Sequence, residues 1–576
     1  MYLLGINAYH ADSSAALLKD GKLIVATEEE RFTRIKHWAG FPEQAIRFCL
    51  REEGIELKDL RGIAIGRDPY AKFWKKIGLL VSNPSLILNV GNRVKNQGQV
   101  GSLYQQFKKM DDSYSRAVFK NQIMPVEHHR SHLASAFYAS PFENAAIMSI
   151  DGSGDFTTTM IAQGNGIDIN VLDSVDFPTS CGLFYTAFTQ YLGFPHYGDE
   201  YKVMGLAPYG EAKYTNDVKK LLTFLPNGLF SWDPSYFINP TKAGMHYENN
   251  IPHVGNLYSP KFESLFGPPR KKEEPLSQYH KDLAASVQRV TEELIFHIAS
   301  HLRKITKEDN LCFAGGVAQN SVANGKILEA SGFKNVYIPS AGHDAGISMG
   351  SAMYAYHYYL ANKRVEPVYS AYTGSKFSND EIESVLQAKG IAYKKYDDDQ
   401  LYDIVTQKLI EPGVVGWFSG RAEFGPRALG ARSIIADPRN NQAKELLNLK
   451  IKRRESFRPF APSILKEYVG EYFTKVDEVP FMEKVFPIRE EKRALIPAVT
   501  HVDGTGRLQT VDKNISPRYY ALIDRFRQKT GVPILLNTSF NENEPIVNTP
   551  EEALNCYLRT QMDMLVLENC VISRIN

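Results

Sequence analysis

The sequence predicts an α/β chain in two parts, the first of them built by internal duplication. Three observations carry this. The chain has 576 residues, too many for one ordinary core. A strand, a small polar turn and a second strand occur twice, first over residues 2–26 and again over 145–162. Around residues 360–375 the pattern becomes polar and irregular (ANKRVEPV), which places a boundary between a domain of residues 1–365 and one of 366–576.

Residues 2–6, 14–18 and 22–26 read as strands, with Asp20-Gly21 supplying a hairpin turn. In the repeat, 145–150 is an apolar strand, Asp151 to Asp155 a glycine-rich turn and 157–162 the returning strand. Residues 277–306 place Leu283, Val287, Val290, Leu294, Ile298 and Leu302 on one face of a helix. A short strand at 311–314 then leads into Gly315-Gly316 and a helix from Asn320. Beyond the boundary, helices alternate with strands such as 414–418 and 532–536.

Bulk properties narrow the class. Hydrophobic residues are 43% and charged residues 23% of the chain, as in soluble globular proteins, and the net charge is +2. Such a balance gives no general attraction to nucleic acid or membrane, so any anion must be held by a local cluster. The five cysteines, at 49, 181, 312, 556 and 570, form no CxxC pair. The N-terminus carries no secretory signal pattern, and the apolar stretch IGLLVSNPSLILNV is broken by Pro84. A cytoplasmic enzyme with neither a membrane nor a nucleic-acid partner is expected.

Three constellations carry chemistry. His128 and His132, four apart on a predicted helix, share a face; Asp151 and Asp344 each follow a strand in a glycine-containing turn. Two imidazoles and two carboxylates suit a divalent first-row metal. The Gly315-Gly316 turn with Asn320, together with the duplicated units, suggests an actin-like ATPase architecture, in which two related halves clamp a nucleotide. Asp199 and Lys202 add a phosphate or substrate contact. His10, between Asn7 and Asp12, is either a base or a structural histidine. Finally, residues 421–458 hold ten Lys/Arg against four Asp/Glu, rich in arginine and glycine and interleaved with Phe424, Phe457 and Phe460. Arginine there favours a phosphate-bearing ligand over a solvated face. Asn537 and Ser539 offer polar contacts in a turn that follows a strand.

The motifs HHRSHLASAF, IDGSGD, GDEYKVMGLAPYG, AGGVAQN, FGPRALGARSI, KRRESFRPFAPS, HVDGTGRLQTV and GVPILLNTSFN, in this order, resemble the NodU/CmcH carbamoyltransferase family. The resemblance spans nearly the whole chain. It implies an actin-like metal domain followed by a YrdC-like α/β domain. In the second domain carbamoyl phosphate and ATP give carbamoyl adenylate and pyrophosphate; in the first the carbamoyl group passes to the hydroxyl of a small molecule. Carried over by position, His128, His132, Asp151 and Asp344 would bind the metal, with iron(II) favoured and Mg2+ accompanying ATP. His10 would serve the acceptor as base. Gly182, Asp199, Lys202, Gly315, Gly316 and Asn320 would bind the nucleotide or adenylate. Arg427, Arg432, Lys452, Arg458, Arg507, Asn537 and Ser539 would hold carbamoyl phosphate and ATP. The family also implies a homodimer. The alternatives are carbamoylation of a macromolecule and a non-enzymatic nucleotide-binding regulator.

Overall fold

A computed structural model describes residues 1–82, 103–239, 243 and 246–574. Most of the apolar stretch at 77–90 lies outside the described residues or outside the described side chains. The chain divides into two compact units, Met1–Val368 and Tyr369–Asn576.

The first unit contains the duplication as two five-stranded sheets of the same topology. One is built from β1 (Tyr2–Asn7), β2 (Ser14–Lys19), β3 (Lys22–Glu28), β4 (Leu60–Ile65) and β5 (Ile123–Pro125), in the order β3-β2-β1-β4-β5. The other uses β6 (Asn144–Gly154), β7 (Thr157–Asn165) and β8 (Asp168–Asp176). After two small hairpins, β9 (Leu222–Phe224) with β10 (Phe230–Trp232) and β11 (His246–Glu248) with β12 (Ile251–His253), it takes β13 (Asn310–Ala314) and β14 (Asn335–Tyr337). Its order, β8-β7-β6-β13-β14, repeats the first. In each sheet the first three strands meander antiparallel and the last two join parallel.

Parallel strands need covered faces, and the sequence supplies the covers. β1 from Leu3 onward and most of β6 are buried, as runs such as LLGIN and AAIMSI require. The helix His128–Phe137 follows β5, and the helix Gly346–Tyr354 follows β14 at the equivalent place. Both are buried on every side, and their hydrophobic periodicity is accordingly weak. The helix Gln278–Thr306 is amphipathic as expected, burying Leu283, Val287, Val290, Leu294, Ile298 and Leu302.

One expectation is corrected here. Asp151 does not end its strand: β6 runs on to Gly154, with the pairing to β7 slipping between Ile150 and Gly154. A bulge of this kind turns a side chain out of the sheet's alternation, which is what lets Asp151 leave the ladder.

The second unit is a mixed nine-stranded sheet of β15 (Lys394–Lys395), β16 (Val415–Phe418), β17 (Arg432–Ala436), β18 (Ala461–Leu465), β19 (Lys484–Pro487), β20 (Thr505–Val511), β21 (Ile534–Ser539), β22 (Met564–Leu567) and β23 (Cys570–Ser573). Their order is β15-β23-β22-β16-β17-β21-β18-β20-β19. The helices Asn379–Ala388, Asp398–Ile410, Pro517–Thr530 and Pro550–Arg559 close its core. No helix among the described residues is long and apolar enough to cross a membrane.

Candidate functional site

In the first unit, four side chains from the two duplicated halves converge. The helix His128–Phe137 starts where Glu127 accepts the N–H of Arg130 at 2.8 Å, while Asp155 accepts the N–H of His128 at 3.0 Å. Carboxylates at this end suit the unpaired N–H groups and the helix dipole. One turn apart, His128 and His132 then point the same way. Gly154 makes room: a Cβ there would lie 2.0 Å from the His128 ring. Asp151 divides its oxygens, Oδ1 accepting the Gly316 N–H at 3.0 Å and Oδ2 facing the imidazoles. Asp344 comes from the loop between β14 and the helix Gly346–Tyr354, and its carbonyl accepts from the Asn7 side chain at 3.1 Å.

His128 Nε2 lies 3.1 Å from Asp151 Oδ2 and 3.7 Å from Asp344 Oδ1; His132 Nε2 lies 3.4 and 3.3 Å from the same two oxygens. A tetrahedral metal with ligand bonds of ~2.0–2.2 Å holds its ligand atoms about 3.3–3.6 Å apart. The four residues therefore fit a divalent ion. All four are buried, and His132 Nε2 and Asp344 Oδ1 make no hydrogen bond among the described residues. Burial works against charge on every one of them. At His132 the two carboxylates outweigh it and raise the pKa to about 9; at His128 burial prevails and the pKa falls. Asp151 and Asp344 are held well below the carboxylate range by the facing histidines, against their own desolvation.

His10 lies in the turn between β1 and β2. Its Nδ1 lies 2.7 Å from Asp344 Oδ2, and its ring centroid is 5.0 Å from that of His128. A second cluster, Asp12, Glu30 and His37, lies close by in the sequence around His10. Here His37 Nδ1 is 2.8 Å from Asp12 Oδ1, and the His37 N–H is given to Glu30. These groups satisfy one another.

The predicted nucleotide residues have varied employment. Gly315 adopts the left-handed φ of +94° that glycine tolerates, and its N–H is donated to Gly342. The turn leads into a 3-10 segment, Gly316–Gln319, and only then into the short helix Ser321–Asn324, capped by Asn320. The Asn320 side chain also exchanges two hydrogen bonds with Gln288 on the long helix, at 2.9 and 3.1 Å. Gln288, buried beside Tyr185 and Glu292, carried no sequence signal beyond its helix. Gly182 packs against the backbone of Gly152, and Lys202 is paired with Asp199 at 2.8 Å.

In the second unit the basic stretch separates into two kinds of cation. Arg507 on β20 feels Arg427, Arg454 and Arg458 together; burial first, and then those three charges, push its pKa well down. Its Nε makes no hydrogen bond among the described residues. The gathering of four guanidinium groups is a place for a polyanion. Arg454, part of the basic stretch read from the sequence though not among the residues carried over from the family, joins the group; it stacks 4.7 Å over Phe460. Nearby, burial lowers His501 to about 4, with Arg507 and Lys444 adding to the effect.

Arg432 and Lys452 are differently placed. Arg432 is fully buried, 3.6 Å over the Phe418 ring, and its guanidinium donates to the carbonyls of Ser375, Gly420 and Ala431. The Lys452 ammonium sits among Ser539 O and Oγ and Asn541 O and Oδ1, at 2.5–3.2 Å. Ser539 thus serves Lys452. Asn537 donates to the carbonyl of Ala428 at 3.2 Å, beside Arg427. The phenylalanines of the stretch, Phe424, Phe457 and Phe460, are buried, and Phe460 carries the Arg454 guanidinium on its face.

One unit thus carries a buried cluster of two histidines and two aspartates, and the other a cluster of arginines. Comparison with known proteins makes this specific. Residues 2–353 match the family described as Carbamoyltransferase N-terminus, and residues 406–574 match Carbamoyltransferase C-terminus. The chain belongs to the carbamoyltransferase family and is an enzyme. An uncharacterized protein of Synechocystis sp. is 42% identical over 100% of this chain and 97% of its own length. The nodulation protein NolNO of Sinorhizobium fredii is 38% identical over 99% of this chain and 80% of its own. A 3'-hydroxymethylcephem-O-carbamoyltransferase of Amycolatopsis lactamdurans is 27% identical over 76% and 78%. Among solved structures, component A of the (R)-2-hydroxyglutaryl-CoA dehydratase of Acidaminococcus fermentans covers 63% of this chain and 100% of its own, at 13% identity and a TM-score of 0.33, a likeness too slight to carry an argument.

Proposed function

We propose that the protein is an ATP-dependent O-carbamoyltransferase working in two steps, with the second unit as a YrdC-like activating domain and the first as an actin-like transfer domain. The gathering of Arg427, Arg454, Arg458 and Arg507 is the observation that carries this reading. Carbamoyl phosphate and ATP repel each other, and several fixed cations are needed to bring them together. There water takes the phosphoryl group of carbamoyl phosphate, giving phosphate and carbamate. A carbamate oxygen then attacks the α-phosphorus of ATP, the bond to the β-phosphate oxygen breaks, and pyrophosphate leaves.

Transfer follows in the first unit, whose duplicated sheets support the actin-like reading. Asp344 Oδ2, 2.7 Å from Nδ1 of His10, would hold the proton on that nitrogen and leave Nε2 to take the proton of the acceptor hydroxyl. The hydroxyl oxygen attacks the carbamoyl carbon, the bond to AMP breaks, and AMP leaves. His128, His132, Asp151 and Asp344 would hold a divalent metal, iron(II) by family resemblance, which supplies Lewis-acid polarisation. Mg2+ would accompany ATP. The acceptor is a small molecule with a free hydroxyl, as the name of the cephem relative suggests.

The test is to incubate the protein with ATP and carbamoyl phosphate and to measure pyrophosphate and AMP. ADP as sole product would rule out adenylation. Arg507→Ala should abolish pyrophosphate release, while His132→Ala should spare it and stop transfer. Equal loss in both variants, with both folded, would refute the division of labour.

A further inference from the structure

The loop that carries Arg427 lies between β16 and β17 and turns at three left-handed glycines, Gly420 at φ +68°, Gly425 at φ +124° and Gly430 at φ +103°. Its backbone is held largely by side chains. Three N–H groups, of Leu429, Ala431 and Arg432, converge on one atom, Glu423 Oε1, at 2.7, 2.7 and 3.2 Å. The carbonyls are held by other side chains. Asn537 donates to Ala428, Gln509 and the Tyr372 hydroxyl both donate to Leu429, and the Trp417 indole donates to Gly430. Glu423 accepts three of the loop's N–H groups and the Ser433 hydroxyl accepts a fourth, from Gly430 at 3.0 Å; the other side chains are donors. It is 2% exposed, and its Oε2 makes no hydrogen bond among the described residues.

We propose that Glu423 is a positioning residue for the anion site: its carboxylate gathers the N–H groups of the loop 425–432 and so fixes the place from which Arg427 meets its substrate. The inference rests on the reading of the arginine cluster as the anion site. Geometry gives it content. A flexible loop would have to be ordered by each incoming anion, at the expense of affinity, whereas a loop closed on an internal carboxylate presents its guanidinium ready-placed. Because Oε2 has no partner, the chemistry resides in Oε1. A glutamine offers an oxygen of the same reach; an alanine leaves three buried donors without an acceptor.

The experiment uses the full chain. Binding of inorganic pyrophosphate, measured by calorimetry, reads the site without requiring turnover. Steady-state pyrophosphate release from ATP and carbamoyl phosphate reads the reaction. Glu423→Ala should weaken pyrophosphate binding about ten- to a hundredfold and raise KM for carbamoyl phosphate more than it lowers kcat. Glu423→Gln should stay within about threefold of the parent. In an Arg427→Ala background, Glu423→Ala should cost little more, because its effect passes through Arg427. Wild-type affinity in folded Glu423→Ala overturns the proposal. So does a full additional loss in the Arg427→Ala background, a folded Glu423→Gln as weak as the alanine variant, or a parent that binds no pyrophosphate. If the parent binds pyrophosphate and the variants follow this order, yet ATP and carbamoyl phosphate release none, the positioning role stands and adenylation falls.

Discussion

Replacing Lys452 by methionine separates two roles that the sequence alone leaves superimposed: gripping a substrate phosphate, or bracing the protein. The ammonium is 1% exposed and faces four oxygens of Ser539 and Asn541 at 2.5–3.2 Å. An ammonium has three donors, each worth ~1.5–2 kcal/mol in a charge-assisted bond, or about 5 kcal/mol together. Methionine is spared the cost of burying a charge, which returns ~2 kcal/mol. The net loss is about 3 kcal/mol. For a unit of this size that corresponds to a fall of about 6–12 °C in the unfolding midpoint. Differential scanning calorimetry of the full chain measures it, in the transition of the Tyr369–Asn576 unit. A shift below about 2 °C, with carbamoyl phosphate binding abolished, would refute the bracing role and return Lys452 to the substrate.

Gly154→Ala should disturb the metal centre without unfolding the chain, because the new methyl lies 2.0 Å from the His128 ring and displaces it; retained divalent metal, measured by elemental analysis after dialysis, should fall at least tenfold with the circular dichroism spectrum preserved. Glu29, 2% exposed at the start of the helix Glu43–Glu53, has its pKa raised by burial to about 7 from 4.5, even though the backbone of Gln44 and Ala45 donates to it. The folded state thus binds the proton more tightly, and the stability this contributes is full below pH 4.5 and lost as pH rises through 7. Urea unfolding at pH 4.5 and 8 should show the parent losing about 3 kcal/mol more than Glu29→Gln over that interval, and parallel profiles would contradict the shift.

What could be read from the sequence was local. The first strands, the spacing of His128 and His132, and the place of Asp344 in a turn after a strand follow from short-range periodicity; the bulge that frees Asp151 from within β6 does not. The repeated strand–turn–strand pattern pointed to a duplication that the two sheets realise strand for strand. Direction and burial were not local. Arg432 opens the run RSIIA, and β17 lies inside a nine-stranded sheet with every residue buried, so its guanidinium turns to backbone carbonyls. A sequence shows that charge without showing which way it faces. Glu423 and Gln288 gave no warning at all. Gln288 acts on partners brought close by pairings far apart in the chain; Glu423 acts within its own loop, whose folding back on it no local periodicity announces.

The His/Asp centre has one further consequence. Two of its ligating side chains descend from the first copy of the duplicated half and two from the second. An ion held there would be a rivet through both copies. Occupancy and the cohesion of the unit would then be one equilibrium seen from two sides, and adding a divalent ion should stiffen the entire Met1–Val368 body rather than merely enable one reaction.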